Sequence, residues 1–295
     1  MPRSLAQVAS IGGVSVGKTS AGDIAATFDA AAADFDRVTP QVWGPAGQSL
    51  VFAAGLRAGD VVLDVGCGTG SAALAAAAAV GPTGQVHAID LSDDLLEHGR
   101  VTASDRALLN IEFVRADATE WEPPSTVPAA GYDAVLASYS VFFLPHMDAA
   151  FARLARLVRP GGTVGVTTWR APALHEFAAV FFDALTPHLQ APLPESARTV
   201  ADAERLDSAG KLRAWLAAAG TTGTVVRELS NLIPATEEFC WNLVLGSGLR
   251  GALAGLPDAT IERVRTDVMA LITDRGLHTV DASTLVGTAA VTGSR

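Results

Sequence analysis

The chain has 295 residues, 49% of them hydrophobic, and a formal net charge of −10. That apolar content supplies a large core and excludes global disorder. The acidity, with Lys18 and Lys211 the only lysines and no basic patch, disfavours binding along a phosphate backbone. Cys67 and Cys240 give neither a disulfide framework nor metal-ligand spacing. No charged segment leads into an apolar run at the N-terminus, and the run Ala72–Val80 is too short to span a bilayer. A cytoplasmic location is the expectation.

Residues 1–20 read as a flexible tail, and 21–295 as one domain. Within it, 21–56 form a helical arm, 57–170 a ligand-binding core, and 171–295 the completion of the sheet with cap helices. In the arm, Ile24, Phe28, Phe35, Leu50, Val51 and Leu56 recur at helical spacing, with Pro40 and Gly44-Pro45 expected to break it into short helices. Strands and helices then alternate. Val61–Val65 is a short apolar strand ending in a glycine turn, and Ser71–Val80 an alanine-rich helix ended by Gly81-Pro82. Gln85–Asp90 is a second strand, and Ser92 an N-cap for the helix Asp93–Ser104. Ile111–Arg115 and Ala134–Ser138 are strands with only a weak helix between them. The helix Ala149–Val158 leads through the turn Pro160-Gly161-Gly162 to the strand Thr163–Thr168. Helices are expected at Leu174–Leu185, Ala209–Ala219, Glu237–Val244 and Thr260–Thr273, and strands at Thr222–Leu229 and Val280–Val291. This order implies a doubly wound α/β fold, a parallel sheet with helices on both faces.

The chemistry centres on Asp64-Val65-Gly66-Cys67-Gly68-Thr69-Gly70. Alternate glycines after a strand let backbone approach a ligand at the carboxyl edge of a parallel sheet. Dinucleotide enzymes use related turns, but counting from Gly66 their third glycine position holds Ser71, and Asp64 suits a cationic group better than a diphosphate. Asp90 ends the second strand, twenty residues after Gly70, where an acid accepts from both ribose hydroxyls. Asp117 follows the third strand, where its carboxylate could accept from an adenine amino group while the Ala118 amide donates to the ring. Three acids at successive strand ends make an adenosine site without a phosphate cradle.

Three strings occur in order: Val62-Leu63-Asp64-Val65-Gly66-Cys67-Gly68-Thr69-Gly70, the segment from Gly81 through Asp90-Leu91-Ser92, and Leu157 through Pro160-Gly161-Gly162. Together they resemble the class I methyltransferases, in the branch similar to ubiquinone/menaquinone C-methyltransferases, over roughly residues 28–169. The resemblance implies a seven-stranded sheet whose last strand is antiparallel, with S-adenosylmethionine as cofactor and S-adenosylhomocysteine as product. It places Asp64 and the turn of Gly66, Cys67, Gly68 and Gly70 against the methionine part, Asp90 with Leu91 against the ribose, Asp117 and Ala118 against the adenine, and Ser138 under the methionine end. The acceptor expected is a small molecule, with no nucleic acid, membrane or metal involved; a homodimer is one assembly left open.

Methyl transfer from a sulfonium needs mainly positioning and exclusion of water, with a general base useful for an alcohol or carbon acid. Location alone nominates Tyr139 and His146 after the fourth strand and His175 after the fifth. Phe142, Phe143, Phe177, Phe181, Phe182 and Trp241 are candidate pocket walls, with Phe28, Phe35 and Trp43 closing over the cofactor. Two alternatives stand beside this reading: an NAD(P)-dependent oxidoreductase, and a cofactor-binding protein of this fold with a non-methylating activity. Gly12 through Gly17-Lys18-Thr19 satisfies a P-loop pattern but lacks a convincing preceding strand, so coincidence is the reading.

Overall fold

The computed structural model describes residues 21–189 and 201–292; the tail and its P-loop pattern lie outside them. The arm is two helices, α1 (Ala21–Val38) and α2 (Trp43–Ala54). Pro40 separates them, since its ring and missing N–H cannot continue a helix. Gly44-Pro45 does not break the arm as expected. It sits in the opening turn of α2, where amides have no intrahelical acceptor and proline is tolerated.

Next come β1 (Val61–Val65), α3 (Ser71–Val80), β2 (Gln85–Asp90), α4 (Asp93–Asp105) and β3 (Ile111–Arg115), within one residue of expectation. The Ser92 hydroxyl accepts from the Leu95 amide at 3.2 Å and caps α4. No helix intervenes before β4 (Tyr132–Ser138). The following helix, α5 (Met147–Ala155), ends three residues before the expected boundary because Val158 already belongs to β5 (Val158–Trp169) and pairs with Tyr132. Pro160-Gly161-Gly162 is correspondingly not a free turn. It forms an irregularity inside β5, where the register jumps from Tyr132↔Val158 to Ala134↔Thr163.

The second half adds α6 (His175–Leu185), the short α7 (Ala201–Glu204), α8 (Ala209–Ala218) and β6 (Thr221–Leu229). It continues with β7 (Leu232–Pro234), α9 (Glu237–Leu245) and α10 (Asp258–Asp274), then β8 (Thr279–Asp281) and β9 (Thr284–Val291). The single expected last strand is thus two. Asp281 accepts the Ser283 amide at 2.8 Å, and that turn moves the chain from a small β7–β8 sheet into the main one.

The main sheet has the order β3-β2-β1-β4-β5-β9-β6, with β9 antiparallel to both neighbours and the other pairs parallel. Strand order reverses between β1 and β4, and such a switch point opens a crevice at the carboxyl edge. Alternate residues of β1 feed separate apolar clusters: Leu63 and Val65 join one, Val62 the other. Asp64 shares the face of Val62, beneath the α2–α3 layer.

Candidate functional site

The turn after β1 is shaped by glycines that other residues could not replace. Gly66 has φ +62°, and a Cβ there would lie 2.5 Å from that of Ser140. Ser140 is fixed in turn by its hydroxyl donating to the Val65 carbonyl at 2.5 Å. Gly68 has φ +56°, and the Phe35 ring of the arm lies 3.4 Å from where its Cβ would stand. The arm therefore lies directly over the turn.

Asp64 is 1% exposed, and neither carboxylate oxygen has a hydrogen-bond partner. Burial pushes its pKa up to about 8; the nearby Ala73 amide pulls it down and the Asp90 charge raises it further. Asp90 closes the turn from β2, its Oδ2 accepting the Gly68 amide at 2.8 Å and its Oδ1 the Ser92 amide at 3.0 Å. Burial raises the Asp90 pKa, and those amides oppose the shift. Leu91, between Asp90 and Ser92, is half-buried. Asp117 makes a tight local turn, its Oδ1 accepting from the Thr119 amide at 2.8 Å and the Thr119 hydroxyl at 2.7 Å. Ala118 beside it is buried. Ser138, the last residue of β4, bonds Thr167 Oγ1 of β5 at 3.0 Å. Cys67 is buried, which holds its thiol protonated. The topology thus brings the proposed cofactor residues to one edge, on β1, β2, β4 and the loops after β1, β2 and β3.

The three candidate bases are placed differently. Tyr139 is buried with φ +54°, its hydroxyl bonded to Thr284 and its phenol pKa raised by burial. His146 precedes α5 and His175 opens α6; both are exposed, and neither imidazole makes a hydrogen bond or ring contact. Of the candidate walls, Phe177, Phe181 and Phe182 are part of the main core. Trp241 lines a cleft of about 560 Å³ with Arg37, Glu237, Glu262 and Arg265, and none of that cleft's lining residues comes from β1, β2, β4 or the loops that follow them. Phe28, Phe35 and Trp43 meet Phe143, Tyr139 and Trp169 in a continuous run of ring contacts.

Sequence reasoning missed Asp29, whose Oδ1 accepts from the Ser92 hydroxyl at 2.5 Å, and Asp36, which meets His98 at 3.1 Å. The signal was present: Phe28-Asp29 and Phe35-Asp36 are the same pair seven residues apart, so both fall on one helical face. Those contacts lay α1 along α4, which is how the arm reaches the glycine turn. Trp169, Thr167 and Thr284 were also missed, because nothing local marks a residue whose partner comes from another strand.

Residues 62–162 match the methyltransferase domain family. Aklanonic acid methyltransferase from Streptomyces sp. (strain C5) is 37% identical over 187 residues, 61% of this chain and 81% of that protein. Nocamycin O-methyltransferase from Saccharothrix syringae is 31% identical over 209 residues, 68% of this chain and 72% of that one. A ubiquinone/menaquinone biosynthesis C-methyltransferase from Pseudomonas putida is 37% identical, over 40% of this chain and 45% of its own. Among solved structures, phosphoethanolamine N-methyltransferase 2 of Haemonchus contortus, bound to S-adenosylhomocysteine, matches with a TM-score of 0.57 at 16% identity, covering 95% of this chain and 61% of that one. At that identity it speaks for the fold alone. The oxidoreductase alternative finds no support in these likenesses.

Proposed function

The chain belongs to the S-adenosylmethionine-dependent methyltransferases, and on that premise we propose that it methylates an oxygen of a small organic acid or enol. The carrying observation is Asp64, buried and unpartnered beneath the glycine turn at the switch point of the sheet. The cofactor supplies an electrophilic methyl group on a positively charged sulfur. Asp64 and the turn of Gly66, Cys67, Gly68 and Gly70 would receive its methionine part. Asp90 and Leu91 would hold the ribose, Asp117 and Ala118 the adenine, and Ser138 the floor below.

The acceptor class follows from what surrounds the reacting position. Tyr139 is buried and committed to Thr284, while the imidazoles of His146 and His175 stand exposed without a hydrogen bond among the described residues. An acceptor needing a proton removed would find none of these three side chains in place as its base. A carboxylate, enolate or acidic phenolate arrives already ionised and needs only positioning in a dry site. The names of two of these relatives support this: one is a methyltransferase of an acid, the other an O-methyltransferase. The arm excludes water by laying Phe28, Phe35 and Trp43 across the edge. The reading includes neither nucleic acid nor membrane as partner; no helix of the described residues is long and apolar enough to cross a membrane. Residues 21–295 act as one catalytic domain, a reading supported by an apolar cluster running from Val38 to Ala289.

The test is calorimetric titration with S-adenosylhomocysteine beside Asp90→Ala, followed by a panel of acidic and non-acidic acceptors scored for methylated product. Micromolar binding, about −8 kcal/mol, that collapses in the variant, with turnover confined to acidic acceptors, is expected. Binding unaltered by the substitution, or turnover of neutral alcohols alone, would overturn the assignment.

A further inference from the structure

Three side chains on or beside the glycine turn carry buried polar atoms without hydrogen-bond partners among the described residues: the Asp64 carboxylate, the Ser71 hydroxyl and the Trp43 indole N–H. The ring of Trp43 helps exclude water in the reading above, but its N–H has been given no part. A buried indole N–H ordinarily finds an acceptor, because leaving it unpaired costs free energy. The ring is held firmly. Phe35 stacks on it with centroids 5.4 Å apart and planes 18° apart, while Tyr139 and Trp169 approach at 5.3 and 5.8 Å. One helical turn further on, a Cβ at Gly47 would lie 2.8 Å from the Ala72 amide nitrogen, so this end of α2 abuts the start of α3. Phe35 itself covers Gly68. The indole is therefore packed among Phe35, which covers the glycine turn, Tyr139, which follows β4, and Trp169, which ends β5.

The structure assigns Trp43, we infer, as a cofactor-binding residue whose Nε1–H donates to the α-carboxylate of the amino-acid end of S-adenosylmethionine. This rests on the cofactor placement proposed above. That end of the cofactor is a zwitterion. Its ammonium suits Asp64, but its carboxylate must lie near a cluster of acids, Asp29, Asp64 and Asp90. Arg100, whose charge acts on Cys67 of the turn, is already engaged with Glu97 and the Phe113 carbonyl, and Arg153 bonds the carbonyls of Ala118 and Trp121 on the adenine side. Among the described residues, the unpaired neutral donors beside the turn are the Ser71 hydroxyl and the Trp43 indole; the indole is the one clamped by three aromatic rings, and bonds to a charged acceptor are the stronger kind.

The test compares two ligands, S-adenosylhomocysteine and methylthioadenosine, which lacks the amino-acid end. Each is titrated calorimetrically into the wild-type protein and Trp43→Phe, which keeps an aromatic ring in the stack. The expected result is about tenfold weaker binding of S-adenosylhomocysteine to the variant, with methylthioadenosine changed less than about twofold. Equal weakening of both ligands would show a packing role and overturn the proposal, as would unaltered S-adenosylhomocysteine affinity. If the wild type binds neither ligand, the underlying cofactor placement fails instead. Should the variant not fold, the five indole N–H signals of isotope-labelled wild type decide. One signal moving downfield with S-adenosylhomocysteine but not with methylthioadenosine supports the donor, and none doing so overturns it.

Discussion

Asp64→Asn separates stability from function in a way that can be measured. In the folded chain the Asp64 pKa rises from 3.8 to about 8, because burial disfavours the charge and Asp90 adds to it. Between those values the folded chain holds a proton that the unfolded chain has released. Stability therefore falls as pH rises, by up to about 1.4 kcal/mol per pH unit, and levels off above the folded pKa. Asparagine keeps the shape and does not titrate. The stability of the variant minus that of the wild type should grow by about 2 kcal/mol between about pH 6 and pH 8. Urea denaturation of cofactor-free protein, extrapolated linearly at each pH, reads this difference directly. The variant should meanwhile bind S-adenosylmethionine far more weakly, and wild-type binding should release a proton, seen as a dependence of heat on buffer ionisation enthalpy. Parallel stability profiles for the two proteins would refute the reasoning, since the buried carboxyl would then carry no linked proton.

Gly66→Ala places a Cβ 2.5 Å from that of Ser140 in a left-handed backbone. A loss of about 2–4 kcal/mol is expected from strain and overpacking, with cofactor response absent in thermal shift; an unchanged melting temperature would contradict it. His87 is buried with neither ring nitrogen bonded, and burial lowers its pKa although Glu112 opposes the shift. The unfolded chain then binds the proton first, so stability is lost as pH falls below the ordinary imidazole value of about 6.5. His87→Phe, against Tyr132 and Trp121, should flatten that acid limb of the denaturation profile. Tyr139→Phe removes the bond to Thr284 and should cost about 1 kcal/mol while leaving kcat within a few-fold. A loss of about a thousandfold with S-adenosylhomocysteine affinity intact would instead make the phenol catalytic.

The first half of the fold was legible because its signals are local. Val61–Val65 and Gln85–Asp90 are short apolar runs bounded by glycine or by an N-cap serine, and the structure keeps those limits. The glycine turn and the acids at 64, 90 and 117 could be placed from strand ends alone. The misses share a cause. Val158 was assigned to a helix because its helical spacing was visible and its partner, Tyr132 on β4, was not. The last strand was expected in one piece because Ala282-Ser283 carries no breaker; Asn231, whose carbonyl accepts the Ala282 amide, splits it from a distance. Aromatic content nominates Phe177 and Phe181 as pocket walls, but it does not say that their rings are fully buried in the same cluster as Trp43 and Tyr139.

By itself the sequence determined the order of the first strands and helices and the parallel core, and it nominated the acids at 64, 90 and 117, since each depends on periodicity and turn residues within a few positions. Tertiary structure decided the rest: that Asp64 has no hydrogen-bond partner among the described residues, that Tyr139 is tied to Thr284, and that α1 lies along α4 with Phe35 over Gly68 and Trp43 stacked on Phe35. Those depend on side chains far apart in the chain meeting in space. Burial and the loss of water at such meetings set whether a carboxyl is charged and whether an indole is satisfied.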